Sequence, residues 1–183
     1  AERPTLGLVL AGEREARHWR AGRARPFDAF DAKAEALALL AAAGAPAESL
    51  QALAPAAGCY PPGRSGRLAL GPKTALAEFG ALHPRVLKAF DLDGPVAAAE
   101  IFLDALPERR PGARMRGAYA PPPLQPVKRD FAFLVPEELA ADRLLRAVRG
   151  ADKAAIADVR LFDVFTGEGV PQACKSLAVE VTL

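Results

Sequence analysis

VRLFDVFTGEGVPQACKSLAVEVTL, residues 159–183, is a pair of apolar runs around a turn, and its reading decides the fold of the chain's second half. Apolar and polar side chains alternate along each run with a period of two, the mark of a strand packed on one face. Gly167, Gly169 and Pro171 between the runs supply the turn. Upstream, residues 127–135 (VKRDFAFLV) read as another strand and residues 139–149 as a helix, so the order is strand, helix, strand, strand. That is the opening of a ferredoxin-like β-α-β-β-α-β unit. A last helix and strand belong to such a unit and do not follow Leu183. An incomplete β-α-β-β unit is therefore expected, with an open sheet edge and an apolar face covered by one helix.

Alternation sorts the side chains of this unit onto two faces. In the first strand Val127, Phe131, Phe133 and Val135 oppose Lys128, Asp130, Ala132 and Leu134; in the second, Phe162 and Val164 oppose Leu161, Asp163 and Phe165. In the third, Leu177, Val179, Val181 and Leu183 oppose Ser176, Ala178 and Glu180. With the apolar faces turned to the helix, the other surface presents Lys128, Asp130, Ala132, Asp163, Phe165 and Ser176. A small residue that admits a base, an aromatic to stack on, and a carboxylate beside a hydroxyl to read a base edge suit single-stranded RNA. An ordinary solvated sheet face answers to the same pattern. Along the helix Arg143, Arg146 and Arg149 recur every third residue and, with Lys128, are candidate phosphate contacts.

The first half reads as a separate α+β domain dominated by antiparallel strands. Residues 5–11 form a strand, residues 13–25 a charged segment holding the only tryptophan, Trp19, and residues 27–43 a helix with Phe30, Ala34, Leu37 and Leu40 on its apolar stripe. Residues 67–70 and 74–79 make a hairpin, residues 84–89 a short helix opened by Pro84, and residues 96–106 a buried strand. Beyond it, Pro107, Pro111, Pro121, Pro122, Pro123 and Pro126 alternate with Arg109, Arg110, Arg114 and Arg116. Repeated proline removes backbone donors and favours extended chain. The organisation is thus a domain over residues 1–106, an Arg/Pro-rich linker over 107–122, and the ferredoxin-like unit over 123–183.

Chemistry-bearing motifs are sparse. There is no Walker loop, GxGxxG or HExxH, and Gly63-Arg64-Ser65-Gly66 reads as a turn rather than a serine nucleophile loop. Of the two histidines, His83 before Pro84 reads as the opening residue of a helix, bonded to local backbone. Cys59 and Cys174 lie far apart and outside any CxxC, so neither metal nor disulfide is expected. Trp19 reads as a core anchor or a subunit-interface residue, a surface contact with RNA being the alternative. A net charge of +2 gives no global argument for nucleic acid. No run reaches the roughly 18 apolar residues of a membrane helix, and the first residues lack a signal-peptide pattern. A cytoplasmic protein without membrane contact is expected.

Several of these pieces resemble one family. Arg129-Asp130 opening an apolar strand, then Phe162-Asp163-Val164-Phe165 with Gly167-Glu168-Gly169, then Lys175-Ser176-Leu177-Ala178 is similar to the anticodon-binding ferredoxin-fold domain of the bacterial phenylalanyl-tRNA synthetase beta subunit. Arg25-Pro26, Phe30-Asp31-Ala32-Lys33, Pro62-Gly63-Arg64-Ser65-Gly66 and Leu82-His83-Pro84 resemble the preceding domain of that subunit, an antiparallel-sheet, non-catalytic copy of a class II synthetase core. The family generally carries His before Pro-Gly, where this chain has Pro61.

The resemblance implies a C-terminal fragment of the beta subunit, with tRNA-Phe and the catalytic alpha subunit as partners in a heterotetramer. ATP and magnesium would serve the full enzyme, with no cofactor and no catalytic residue in this fragment. It further implies that an anticodon base stacks on the aromatic matching Phe165, commonly Tyr in the family, with contacts at Ala132, Asp163 and Ser176. Two rivals stand beside this reading. A ferredoxin-fold hydrolase of the acylphosphatase kind needs Asn, which the chain lacks; a protein-interaction module would use the same sheet face without RNA.

Overall fold

The computed structural model describes residues 2–20, 22–54, 56–108 and 125–183, which form two compact units on either side of the stretch 109–124. The expected linker and domain boundary fall almost wholly outside the described residues.

In the first unit Thr5–Ala11 (β1) leads into Glu13–Glu15 (β2) and Arg25–Pro26 (β3), which pair as a short hairpin. Then come helix Ala29–Ala42 (α1), strands Gln51–Leu53 (β4), Ser65–Leu70 (β5) and Thr74–Ala81 (β6), helix Pro84–Ala89 (α2) and strand Val96–Phe102 (β7). Five strands make one antiparallel sheet in the order β1-β7-β6-β5-β4. The last strand is shorter than expected. Its partner β1 ends at the Thr5–Phe102 pair, and Leu103 N–H turns to the Pro4 carbonyl at 3.0 Å.

Helix α1 begins where Asp28 can cap it. The Asp28 carboxylate accepts the N–H groups of Phe30 and Asp31 at 2.8 and 3.0 Å, and Asp31 accepts the Asp28 N–H at 3.0 Å, a reciprocal capping box. The same Asp31 carboxylate, 6% exposed, takes Arg14 at 2.7 Å and both terminal nitrogens of Arg25 at 3.0 Å. These bonds tie the base of the β2–β3 hairpin to the helix. They also settle its rotation: Ala32, Ala36 and Leu40 meet the sheet, while Phe30 is 77% exposed and Ala34 is exposed, against the stripe expected from sequence. Alanine on every side of the helix leaves its amphipathic signal too weak to choose a face.

The core lies between α1 and the sheet, around Leu40, Leu68, Leu76, Phe79, Ala97, Ala99 and Ile101. Each large apolar side chain buried there contributes roughly 1.5–3 kcal/mol. On the sheet's other side lie buried Val96 and Ala98, and there the Tyr60 ring leaves no room for a side chain at residue 80. A Cβ there would meet Ser65 Cβ at 2.6 Å, the Arg64 carbonyl oxygen at 2.8 Å and Tyr60 Cδ1 at 2.9 Å. His83 caps α2, its Nδ1 accepting the Arg85 N–H at 3.1 Å. Ser65 Oγ donates to the Pro61 carbonyl at 3.2 Å, the local bond of a turn.

The second unit runs Lys128–Pro136 (β8), Ala141–Ala151 (α3), Asp158–Phe165 (β9) and Cys174–Thr182 (β10), in the sheet order β8-β10-β9. Because β10 is antiparallel to both neighbours, β8 and β9 are parallel and α3 is the crossover between them. Leu144, Leu145 and Val148 of the helix pack around Val159, Val179 and Val181. The helix lies chiefly over β9. On the β8 side Phe131 stays 48% exposed and Phe133 half-buried.

The Arg25 guanidinium, bonded to Asp31, holds its carboxyl at about 2, below the ordinary value of 3.8. A depressed folded value means that the charge stabilises the fold fully above the unfolded value and loses its contribution as pH falls through the folded one. Asp31→Asn should therefore lower stability by an amount that is constant above about pH 5 and narrows steadily toward pH 2. Denaturant melts of both proteins across that range check it, and a gap undiminished at pH 2 would show that charge is not the cause.

Candidate nucleic-acid interface

Across the second sheet, residues in register fall into rows on the face away from α3. Leu134, Ser176 and Phe165 make one row, and Ala132, Ala178 and Asp163 the next. Asp130, Glu180 and Arg160 follow, then Lys128, Thr182 and Asp158. Directly opposed side chains on one face have Cβ atoms roughly 5 Å apart. Phe165 is thus the immediate neighbour of Ser176, and Ala132 and Asp163 share the adjoining row across Ala178. The structure brings all four sequence-derived residues onto one surface.

A register shift makes this possible. Between Ala178 and Val179 the pairing with β9 skips Phe162, so Leu161 opposes Val179 and Asp163 opposes Ala178. The extra residue is a β-bulge, which bends its strand and re-aims the side chains that follow. Strict alternation had set Leu161 on the face of Asp163 and Phe165, with Phe162 on the apolar side. Instead Leu161 packs against the Val159–Val179–Val181 cluster, and Phe162 is left 49% exposed.

The two small residues Ala132 and Ala178 form a low floor bounded by Phe165, 49% exposed, and Leu134, 60% exposed. Gly167 seats the Phe165 ring. A Cβ built on that glycine would lie 2.8 Å from Phe165 Cζ, so the ring rests where a side chain would stand. Asp163 Oδ1 accepts the Val164 N–H at 2.9 Å, which orients the carboxylate. Ser176 Oγ has no hydrogen-bond partner among the described residues. Leu134 and Gly167 escaped the sequence reading: the first because one strand alone does not reveal its neighbour across Ser176, the second because only the folded turn brings it under the ring.

Of the candidate phosphate contacts only Lys128 shares this face, in its last row. Lys128 lies six residues along β8 from Leu134, about 20 Å away, and is paired with Glu180 at 2.9 Å. Arg143, Arg146 and Arg149 belong to α3, the layer on the opposite side of the sheet. Arg146 pairs with Asp142 at 3.0 Å and Arg149 donates to the Val159 carbonyl at 2.9 Å. Arg143 is exposed. The three-residue recurrence was real, but two of its guanidinium groups serve the helix and the strand beneath it.

Family models match both units: residues 1–103 match the phenylalanyl tRNA synthetase beta chain CLM domain, and residues 122–183 match the ferredoxin-fold anticodon binding domain. The chain belongs to the phenylalanyl-tRNA synthetase beta chain family. It is 55% identical over 183 residues to the phenylalanine–tRNA ligase beta subunit of Zymomonas mobilis and 58% identical over 183 residues to that of Novosphingobium aromaticivorans, each alignment covering 100% of this chain and 23% of the relative. The beta subunit of Paramagnetospirillum magneticum is 47% identical over 176 residues, 96% of this chain and 22% of the relative. The chain thus spans less than a quarter of the length of these curated relatives. Within this family's ferredoxin-fold unit, the open sheet face just described is the surface on which all four candidate residues meet.

Gly167→Ala should displace the Phe165 ring without unsettling the fold, because the atom it strikes is the far end of a movable side chain. A stability change within about 0.5 kcal/mol is expected, as for most surface substitutions, together with clear shifts of the Phe165 ring protons in NMR spectra. Unmoved ring resonances would show that the ring does not rest on the glycine.

Proposed function

We propose that this chain acts as the tRNA-reading, non-catalytic part of a phenylalanine–tRNA ligase beta subunit. The single observation that supports it most is the meeting of Phe165, Ser176, Ala132 and Asp163 on one uncovered sheet face, within residues that match an anticodon-binding domain. A base stacked on Phe165 over the alanine floor would present its edge to the Asp163 carboxylate and the Ser176 hydroxyl. The carboxylate accepts N–H groups and the hydroxyl can donate or accept, so the pair suits an edge of mixed character. Phenylalanine in place of the family's usual tyrosine keeps the stacking surface and drops one hydroxyl.

In this reading residues 1–106 are a class II synthetase-like domain without catalytic duty, residues 107–122 a linker, and residues 123–183 the anticodon-binding unit. The alpha subunit, in a heterotetramer, carries the chemistry of phenylalanine attachment in the cytoplasm. ATP and magnesium belong to the full ligase. Among the described residues no group of three or more His, Cys, Asp or Glu is placed to hold a metal ion, and we assign neither cofactor to this chain. No described helix is long and apolar enough to cross a membrane.

Base–aromatic stacking is worth ~1–3 kcal/mol. In the ligase assembled with its alpha subunit, Phe165→Ala should raise the apparent tRNA dissociation constant about fivefold or more, and Phe165→Tyr should bind as well or better. Unchanged binding by the alanine variant would remove the stacking role, and equal filter retention of tRNA-Phe and unrelated RNA would favour a protein-interaction module. Mixed with ATP, phenylalanine and tRNA, the chain alone should form no phenylalanyl-tRNA; product formed without an alpha subunit would overturn the division of labour.

A further inference from the structure

Trp19, the chain's only tryptophan, stands at the tip of the β2–β3 hairpin with 89% of its surface exposed. A core anchor it is not. The described residues beside it are bonded to one another. Gly22, at φ +82°, donates its N–H to the His18 carbonyl at 2.8 Å, and the Arg20 N–H bonds to His18 Nδ1 at 3.2 Å. The His18 ring lies 5.6 Å from the indole, tilted by 39°. At the hairpin's base, Arg14 and Arg25 are held by Asp31.

The arginines divide into two classes. Arg14 and Arg25 are spent on Asp31, whereas Arg17, Arg20 and Arg23 are exposed and have no carboxylate within ion-pair distance among the described residues. Between Glu15 and Asp28 the sequence holds no acidic residue. An open cleft of about 720 Å³ is lined here by Glu13, Arg17, His18, Trp19, Gly22 and Arg23. Its volume falls in the ~300–1,000 Å³ range of small-molecule sites.

From these features we infer that the hairpin tip is a second RNA-binding site, a nucleotide base stacking on Trp19 while neighbouring phosphates lie against Arg17, Arg20 and Arg23. An exposed indole accepts the face of any base, and unpaired guanidinium groups match phosphate oxygens in bidentate geometry. The Glu13 carboxylate in the cleft offers an acceptor to the amino or ring N–H groups of a stacked base. The inference extends RNA binding to the first unit and rests on residues separate from those of the anticodon-binding face.

Because Trp19 is unique, its fluorescence reports this site alone. The full chain is titrated with a tRNA-Phe transcript and with a 12-nucleotide oligoadenylate, RNA retention being followed independently on filters. Saturable quenching of Trp19 emission by both is expected, with the same quenching by oligoadenylate in Phe165→Ala. Replacing Arg17, Arg20 and Arg23 together by Gln should weaken oligoadenylate binding at least tenfold and flatten its log–log salt slope by about 2, at ~0.7 per phosphate on single strands. Emission that does not change while tRNA is retained on the filter would overturn the inference. So would loss of oligoadenylate quenching in Phe165→Ala, or a blue shift on adding purified alpha subunit with no response to RNA, which would make the tip a protein interface.

Discussion

A carboxylate withdrawn from water must have its charge answered where it stands, and Asp31 answers it with three guanidinium hydrogen bonds and a backbone N–H. Each donor comes from a different piece of chain: Arg14 in β2, Arg25 in β3, and the N-cap of α1. One side chain therefore starts the helix, turns its alanine face to the sheet and closes the hairpin at its base. The packing of Ala32, Ala36 and Leu40 follows from that rotation, since small residues on this face let the helix approach the sheet closely. The outward reach of the hairpin tip follows as well, because its two ends are held by the same anion.

In the second unit the corresponding constraint is geometric. Two strands that alternate in step would have matched every inward residue of β9 to an inward residue of β10. The extra residue at Phe162 breaks the step once, keeping Val159 and Leu161 inward below the bulge while Asp163 and Phe165 face outward above it. Gly167 then gives the Phe165 ring its seat. The candidate face is thus a product of one irregularity and one missing side chain, set on an otherwise regular ladder.

Legibility in the sequence follows the same division. The order β8-α3-β9-β10 and the outward set of β8 and β10 could be read, because period-two alternation survives wherever the ladder is regular. Phe165, Asp163, Ala132 and Ser176 could be named for the same reason, aided by a family resemblance. The bulge could not, since it is a mismatch between two strands and no single strand records it. Helix α1 hid its buried face behind alanines on all sides, and the Asp31 network, which chooses that face, joins residues up to 17 apart. Of the two readings of Trp19, core anchor and subunit-interface residue, its exposure removes the first, which rested on lone large apolar residues most often lying in a core; the arginines around it became informative only in the fold, where Arg14 and Arg25 are held by Asp31.

In the proposed reading, contact with RNA depends on which surfaces remain uncovered. The five-stranded sheet has α1 on one face, while on the other the Tyr60 ring lies against Gly80. Around Gly80 this second face has no room for a base. The first unit also exposes the hairpin, with its indole and three arginines that have no carboxylate partner among the described residues. The three-stranded sheet of the second unit differs, for its single described helix lies on one side and the other is bare. Small residues in its centre, an aromatic at its rim and polar atoms beside it turn that bareness into a surface of defined chemistry. In the proposed reading, stacking and hydrogen-bonding groups are held on rigid strands in one unit, and stacking and phosphate-binding groups on an anchored loop in the other.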